Sequence, residues 1–145
     1  MKKFEYYNII AAVDGSEASD KAFKKAVDIA KRNEARLIIT TVVDSRTFAT
    51  VEAYDRTLAD RAENHAHNLI EYYVKEAKEA GLINIVESIE YGSPKVKIAK
   101  DIAKTYKADL IICGATGLNA VERFLIGSVS ESITRYAPCD VLVVR

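Results

Sequence analysis

Gly114-Ala115-Thr116-Gly117, nine further residues, and then Gly127-Ser128 form a G-x2-G-x9-G-S pattern. Glycines permit unusual backbone angles and close approach by a ligand, a helix opening at Gly127-Ser128 offers N–H groups without intrahelical partners, and Ser128 and Ser130 add hydroxyls. That combination suits an anion such as a phosphate and needs no lysine. In the structural alternative, Gly114 and Gly117 only make a tight turn and Ser128 only caps its helix. Any one of these residues fits that alternative, whereas the full spacing within one loop after a strand favours the phosphate.

A second candidate follows the first apolar run, at Asp14-Gly15-Ser16-Glu17. This turn is neither GxGxxG nor GxxxxGK[ST], so dinucleotide binding of the usual type and P-loop hydrolysis lack their hardware. Asp14 either accepts a hydrogen bond from a base or ribose or forms an Asx turn with the residues after it. Val42 and Val43 close the next run, where they pack in the core or present backbone groups to an adenine edge.

Groups for catalysis are sparse. His65 and His67 stand two apart on a helical segment, about 200° around its axis, and cannot face one metal or substrate together. Cys113 ends an apolar run with nothing beside it to lower its pKa, so it reads as a small core or pocket-lining residue. No nucleophile elbow or kinase loop set is present. A phosphoacceptor receiver domain wants an acidic pair after its first strand, and Asp14-Gly15 supplies none.

The elements that must position these residues are legible as apolar runs. Ile9–Val13, Leu37–Val43, Ile85–Tyr91, Leu110–Cys113 and Val141–Val144 predict five strands, mostly apolar on both faces as a covered parallel sheet requires. Helical periods lie between them. One helix opens at Ser16 as N-cap and runs to Asn33. A second spans Asp55 to Ala80, with Leu58, Ala62, Ala66, Leu69, Tyr73, Ala77 and Ala80 on one face and Gly81 as its stop. Ser93-Pro94 opens a third with Ala99, Ile102, Ala103 and Tyr106 inward, and a fourth starts at Gly127-Ser128 and stops before Pro138. Ser128-Val129-Ser130-Glu131 matches a capping box. Alternating strands and helices predict a doubly wound, Rossmann-like α/β fold in one domain, whose ligands bind beyond the carboxyl ends of the strands. Residues 44–54 form a long connection at that same edge, read as a surface loop or as a lid or partner surface.

With 145 residues, 49% of them hydrophobic, the chain can bury roughly two-thirds of its unfolded surface and needs no disulfide or metal to hold a core. Its 21 Lys+Arg balance 21 Asp+Glu, which argues against a nucleic-acid or acidic-membrane binder relying on clustered positive charge. Two isolated cysteines and the lack of a long apolar stretch or leader motif predict a soluble cytoplasmic protein.

Asp14-Gly15-Ser16, Gly92-Ser93-Pro94, the GATG at 114–117, and the closing stretch from Arg123-Phe124-Leu125-Ile126-Gly127-Ser128 through Ala137-Pro138-Cys139-Asp140-Val141 resemble the universal stress protein family. The resemblance spans essentially the whole chain and is most specific in the C-terminal third. It implies a five-stranded parallel sheet in the order 3-2-1-4-5 and the subclass that binds ATP through G-x2-G-x9-G-[ST]. On that basis Asp14 meets the adenosine end, Ala12 lines the pocket and Val42 offers backbone to adenine. Gly114, Ala115, Thr116 and Gly117 wrap the ribose and inner phosphates. Gly127, Ser128, Val129 and Ser130 hold the outer phosphates, with Mg2+ or Mn2+ bridging phosphate oxygens. The chain departs from the commonest pattern in having Ala12 where some relatives place proline, and Ala-Thr where others place a small and a basic residue.

Three functions stay open at this point. The first is a sensor in which ATP occupancy orders residues 115–126 and alters a surface read by a partner protein. The second is a slow ATPase or an autophosphorylating enzyme, and the third is a nucleotide-free structural dimer. Val141–Val144, apolar and at a sheet edge, predicts homodimerisation through the last strand, as the resemblance also does.

Overall fold

The structure, a computed structural model, describes residues 5–44, 56–117 and 126–145. Five strands, β1 (Asn8–Ala12), β2 (Arg36–Val43), β3 (Ile85–Tyr91), β4 (Leu110–Gly114) and β5 (Asp140–Val144), form one sheet. Its order is β3-β2-β1-β4-β5 and every pair is parallel. The expected fold is therefore observed, with strand order reversing between β1 and β4.

Parallel strands need crossovers, and the helices supply them on both faces. Helix α1 spans Glu17–Asn33 and α2 spans Arg56–Glu79. With Ile9, Ala11, Leu37, Ile39 and Ile112 of the sheet they build one core, to which Phe23, Ile70 and Tyr73 contribute the large side chains. The opposite face carries α3, made of a first turn Pro94–Val96, a π-helical stretch Lys97–Ile102 and a last turn Ala103–Thr105, together with α4 (Ser128–Tyr136). Ile10, Ile38 and Ile111 meet Ile98, Ile102 and Ile133 there. Because strand side chains alternate between faces, successive isoleucines feed both cores, which explains why the central runs are apolar without alternation.

Helix ends follow their sequence signals in part. Ser16 caps α1, its Oγ accepting from the Ser19 N–H at 3.1 Å. Gly81, at φ +100°, closes α2: its N–H donates to the Lys78 carbonyl at 3.0 Å and that of Leu82 to the Ala77 carbonyl at 3.1 Å. This is a Schellman motif, whose left-handed residue glycine accepts without strain. Glu34 and Lys107 occupy the same position after α1 and α3 with φ of 50° and 51°, a conformation less comfortable for a residue with a Cβ.

The predicted stripe of α2 holds only for its C-terminal part. Ala66, Ile70, Tyr73, Val74 and Ala77 are buried, whereas Leu58 is 48% exposed, so the sheet covers the helix only beyond its first turns. The capping box at Ser128 is corrected as well. Gly127 is the N-cap, Ser128 is the first helical residue, and no side chain caps the helix. Within the described residues no helix is long and apolar enough to cross a membrane. One-turn ion pairs such as Arg32–Asp28 at 3.2 Å are largely exposed; such pairs contribute little, so the two apolar cores hold the fold.

Candidate functional site

The carboxyl ends of β1, β2 and β4 surround a cleft of about 760 Å³ at the point where strand order reverses. Ala12, Asp14, Val42, Gly114, Thr116, Gly117, Gly127, Ser128, Val129 and Ser130 all line it. Ala115, the remaining predicted site residue, is 3% exposed and does not line it. Its backbone instead joins the two halves of the site. The Ala115 N–H donates to the Val144 carbonyl at 2.7 Å, and its own carbonyl accepts from the Gly127 N–H at 2.7 Å.

Helix α4 points its first turn into this cleft. The first intrahelical bond runs from the Glu131 N–H to the Gly127 carbonyl at 3.0 Å, which leaves the N–H groups of Ser128, Val129 and Ser130 without intrahelical acceptors. Ser130 is 3% exposed, and its Oγ lies 2.9 Å from the Ala115 carbonyl and 3.0 Å from that of Gly127. Its one hydroxyl proton is therefore spent inside the protein, and what Ser130 can offer a ligand is its backbone N–H. The Ser128 side chain, on an exposed residue, is the hydroxyl of this turn that faces solvent.

The three glycines of the pattern serve close packing, and none has a positive φ. A Cβ on Gly114 would lie 2.8 Å from the backbone carbonyl carbon of Ala18, so this glycine lets α1 settle against β4. One on Gly117 would lie 3.0 Å from Asp14 Oδ2, and one on Gly127 3.3 Å from the Ala115 oxygen. Close approach, rather than unusual backbone angles, accounts for the spacing.

On the opposite wall, Asp14 makes the Asx turn: Oδ1 accepts from the Ser16 N–H at 2.9 Å. Oδ2 faces Gly117, so both readings of this carboxylate are compatible, one oxygen for the turn and one toward the cleft. Val42 lies two residues beyond Thr40, whose carbonyl accepts from the Val13 N–H at 2.9 Å. Alternate residues of a strand send their backbone groups to the same side, so Val42 presents its N–H and C=O toward β1 beyond the last registered pair, Ala12 with Thr40. Those two groups border the cleft.

Pro94 and Ile126, named above only as part of a helix start and of the family resemblance, line the cleft too, and so do Ser19, Thr41, Asp44 and Ile98, which no sequence signal marked as site residues. Cys113 also lines it and is buried; burial pushes its thiol up to about 12, so it is neutral and unreactive at physiological pH. His65 and His67 are exposed and do not line the cleft. Among the described residues no group of three or more His, Cys, Asp or Glu is placed to hold a metal ion. Residues 118–125 and 45–54, on which the loop-ordering and lid expectations largely fall, lie outside the described residues.

Comparison with known proteins gives a consistent picture. The model of the Universal stress protein family matches residues 5–145. A putative universal stress protein of Staphylococcus haemolyticus is 51% identical over 140 residues, 97% of this chain and 85% of its own length. Among solved structures, the universal stress protein UspA from Lactobacillus plantarum superposes with a TM-score of 0.85 at 34% identity, covering 99% of this chain and 100% of its own. A universal stress protein crystallised in complex with cAMP matches with a TM-score of 0.74 at 28% identity over 97% of each chain.

Proposed function

The chain belongs to the universal stress protein family, and on that premise we propose that it is a nucleotide-binding sensor whose ligand is ATP carried with Mg2+ or Mn2+. The observation that carries this reading is the pairing of two kinds of group across one cleft. The Ser128, Val129 and Ser130 N–H groups, at the positive end of the α4 dipole, suit phosphate oxygens. Opposite them, Asp14 Oδ2 and the Val42 backbone suit the hydroxyls of a ribose and the polar edge of a base. A volume of about 760 Å³ falls in the range of small-molecule sites. The complex of a 28% identical relative with cAMP supports an adenine nucleotide in particular.

In this reading Ala12 and Val42 hold the adenine, the 114–117 turn holds the ribose and inner phosphates, and the start of α4 holds the outer phosphates. The metal ion neutralises phosphate charge and is held by the nucleotide. In this proposal occupancy, read by a partner protein, is the signal and hydrolysis is incidental. Isothermal titration with MgATP tests the assignment: saturable one-site binding that Asp14→Ala weakens supports it, and no heat at millimolar MgATP refutes it.

The protein also pairs with itself through β5 in this proposal. β5 is an edge strand whose Val141, Leu142, Val143 and Val144 are only partly buried, and a two-fold partner covers both its apolar side chains and its open backbone groups. Analytical ultracentrifugation at micromolar concentration should show a dimer; a monomer alone contradicts it.

A further inference from the structure

The turn that carries Asp14 is closed by a ring of three reciprocal hydrogen bonds. The Asp14 N–H donates to Ser19 Oγ at 3.0 Å, the Ser19 N–H to Ser16 Oγ at 3.1 Å, and the Ser16 N–H to Asp14 Oδ1 at 2.9 Å. Each residue gives one backbone donor and takes one at its side chain. The carboxylate is thereby fixed with Oδ1 inward and Oδ2 toward Gly117.

One link of the ring is tied to another helix. Tyr73 of α2 is 2% exposed and donates its phenolic proton to Asp20 Oδ1 in the first turn of α1. Its oxygen also stands 3.4 Å from Ser19 Oγ. A carboxylate can only accept, so the phenolic proton belongs to Asp20 and the contact with Ser19 uses the proton of Ser19. The donors then all run one way, from the Asp14 N–H through Ser19 and Tyr73 to Asp20, an arrangement in which each bond polarises the next. Phe23, edge-on to the Tyr73 ring with centroids 4.7 Å apart, holds the phenol in place.

We infer that Tyr73, acting through Ser19, is a positioning residue for Asp14 and so sets the affinity of the cleft for the sugar and base of its ligand. Tyr73 does not line the cleft; its influence passes through the ring. The inference rests on the nucleotide reading of the cleft for its binding consequence, and on the hydrogen bonds alone for its structural one.

The test is a double-mutant cycle on the full chain. MgATP is titrated into wild type, Tyr73→Phe, Asp14→Ala and the double variant, and exchange of the Asp14 amide is followed by NMR in wild type and Tyr73→Phe. Tyr73→Phe should weaken binding about fivefold in the wild-type background and leave it unchanged in Asp14→Ala. The Asp14 amide should exchange about tenfold faster relative to that of Ile39, which reports global unfolding of the core. Equal losses in both backgrounds, or no loss in the wild-type one, overturn the inference. If wild type binds no MgATP, the nucleotide reading fails and exchange alone decides: unchanged protection at Asp14 overturns the inference, and faster exchange upholds it. Should Tyr73→Phe not melt cooperatively, Asp20→Asn, which weakens the hold on the Tyr73 phenol from a position that does not line the cleft, carries the same test.

Discussion

Gly114→Ala isolates the packing role assigned to the first glycine of the pattern. The added Cβ lies 2.8 Å from the carbonyl carbon, 2.9 Å from the Cβ and 3.0 Å from the oxygen of Ala18. Two of these three atoms are backbone, so no side-chain rotation relieves the contact and α1 must move off the sheet. Overpacking of this kind costs about 1–3 kcal/mol, and a rigid neighbour places it toward the upper end, about 2–3 kcal/mol. Unfolding entropy of about 2.1 cal/mol/K per residue gives about 0.3 kcal/mol/K for this chain of 145 residues, so Tm should fall by about 7–10 °C. Gly127→Ala is the comparison. Its Cβ stands 3.3 Å from one carbonyl oxygen at a backbone φ of −66°, and its effect should stay within about 1 kcal/mol. Differential scanning calorimetry of both variants reads the contrast. Adding Ala18→Gly to Gly114→Ala should not restore stability, because the two backbone contacts remain. A Gly114→Ala melt like that of wild type, or full recovery in the double variant, refutes the packing argument.

Lys107→Gly should raise stability by about 1 kcal/mol, since a residue at φ 51° loses its Cβ penalty, and Gly81→Ala should lower it by a similar amount; urea unfolding checks both. Burial raises both thiols, yet Cys139 is only half-buried, so a thiol reagent at pH 8 should label it slowly in the native protein while the buried Cys113 reacts only after denaturation. Fast labelling of both thiols in the native protein contradicts this. Burial and the bond to Asp20 push the Tyr73 phenol well above its ordinary value of 10.0. Above that pH the folded state holds a proton the unfolded state has released, so stability falls as pH rises past about 10. Tyr73→Phe should lessen that fall in denaturant titrations; an identical alkaline slope in the variant contradicts the assignment.

How much of this was legible in the residues depends on how local the cause is. The five strands stand out because each central run feeds two cores at once, and Gly81 announces its helix end because the left-handed position is a one-residue requirement. The cleft was legible too, since Asp14, Val42 and the start of the glycine pattern stand at or just after the carboxyl ends of strands and the crossover rule brings those ends together. Tertiary geometry accounts for what was not. Ser128 looks like a cap by spacing, yet it is Gly127 that keeps an extended backbone and whose carbonyl accepts from the Glu131 N–H, which makes Gly127 the N-cap. Ser130 resembles a ligand hydroxyl until Ala115, 15 residues away, claims its proton. Leu58 keeps the helical period beyond the point where the sheet covers α2. The contact between Ser19 and Tyr73 joins positions 54 apart, and no local pattern marks it.

In the proposed function the cleft between β1 and β4 takes a nucleotide on the first turn of α4. A thermal melt with and without MgATP tests it most directly, because a ligand at about 100 times its Kd stabilises the folded chain by about 2.7 kcal/mol. In a domain of this size that raises the midpoint by about 5–10 °C, and Asp14→Ala should shrink the shift. An unchanged midpoint at millimolar MgATP contradicts the claim.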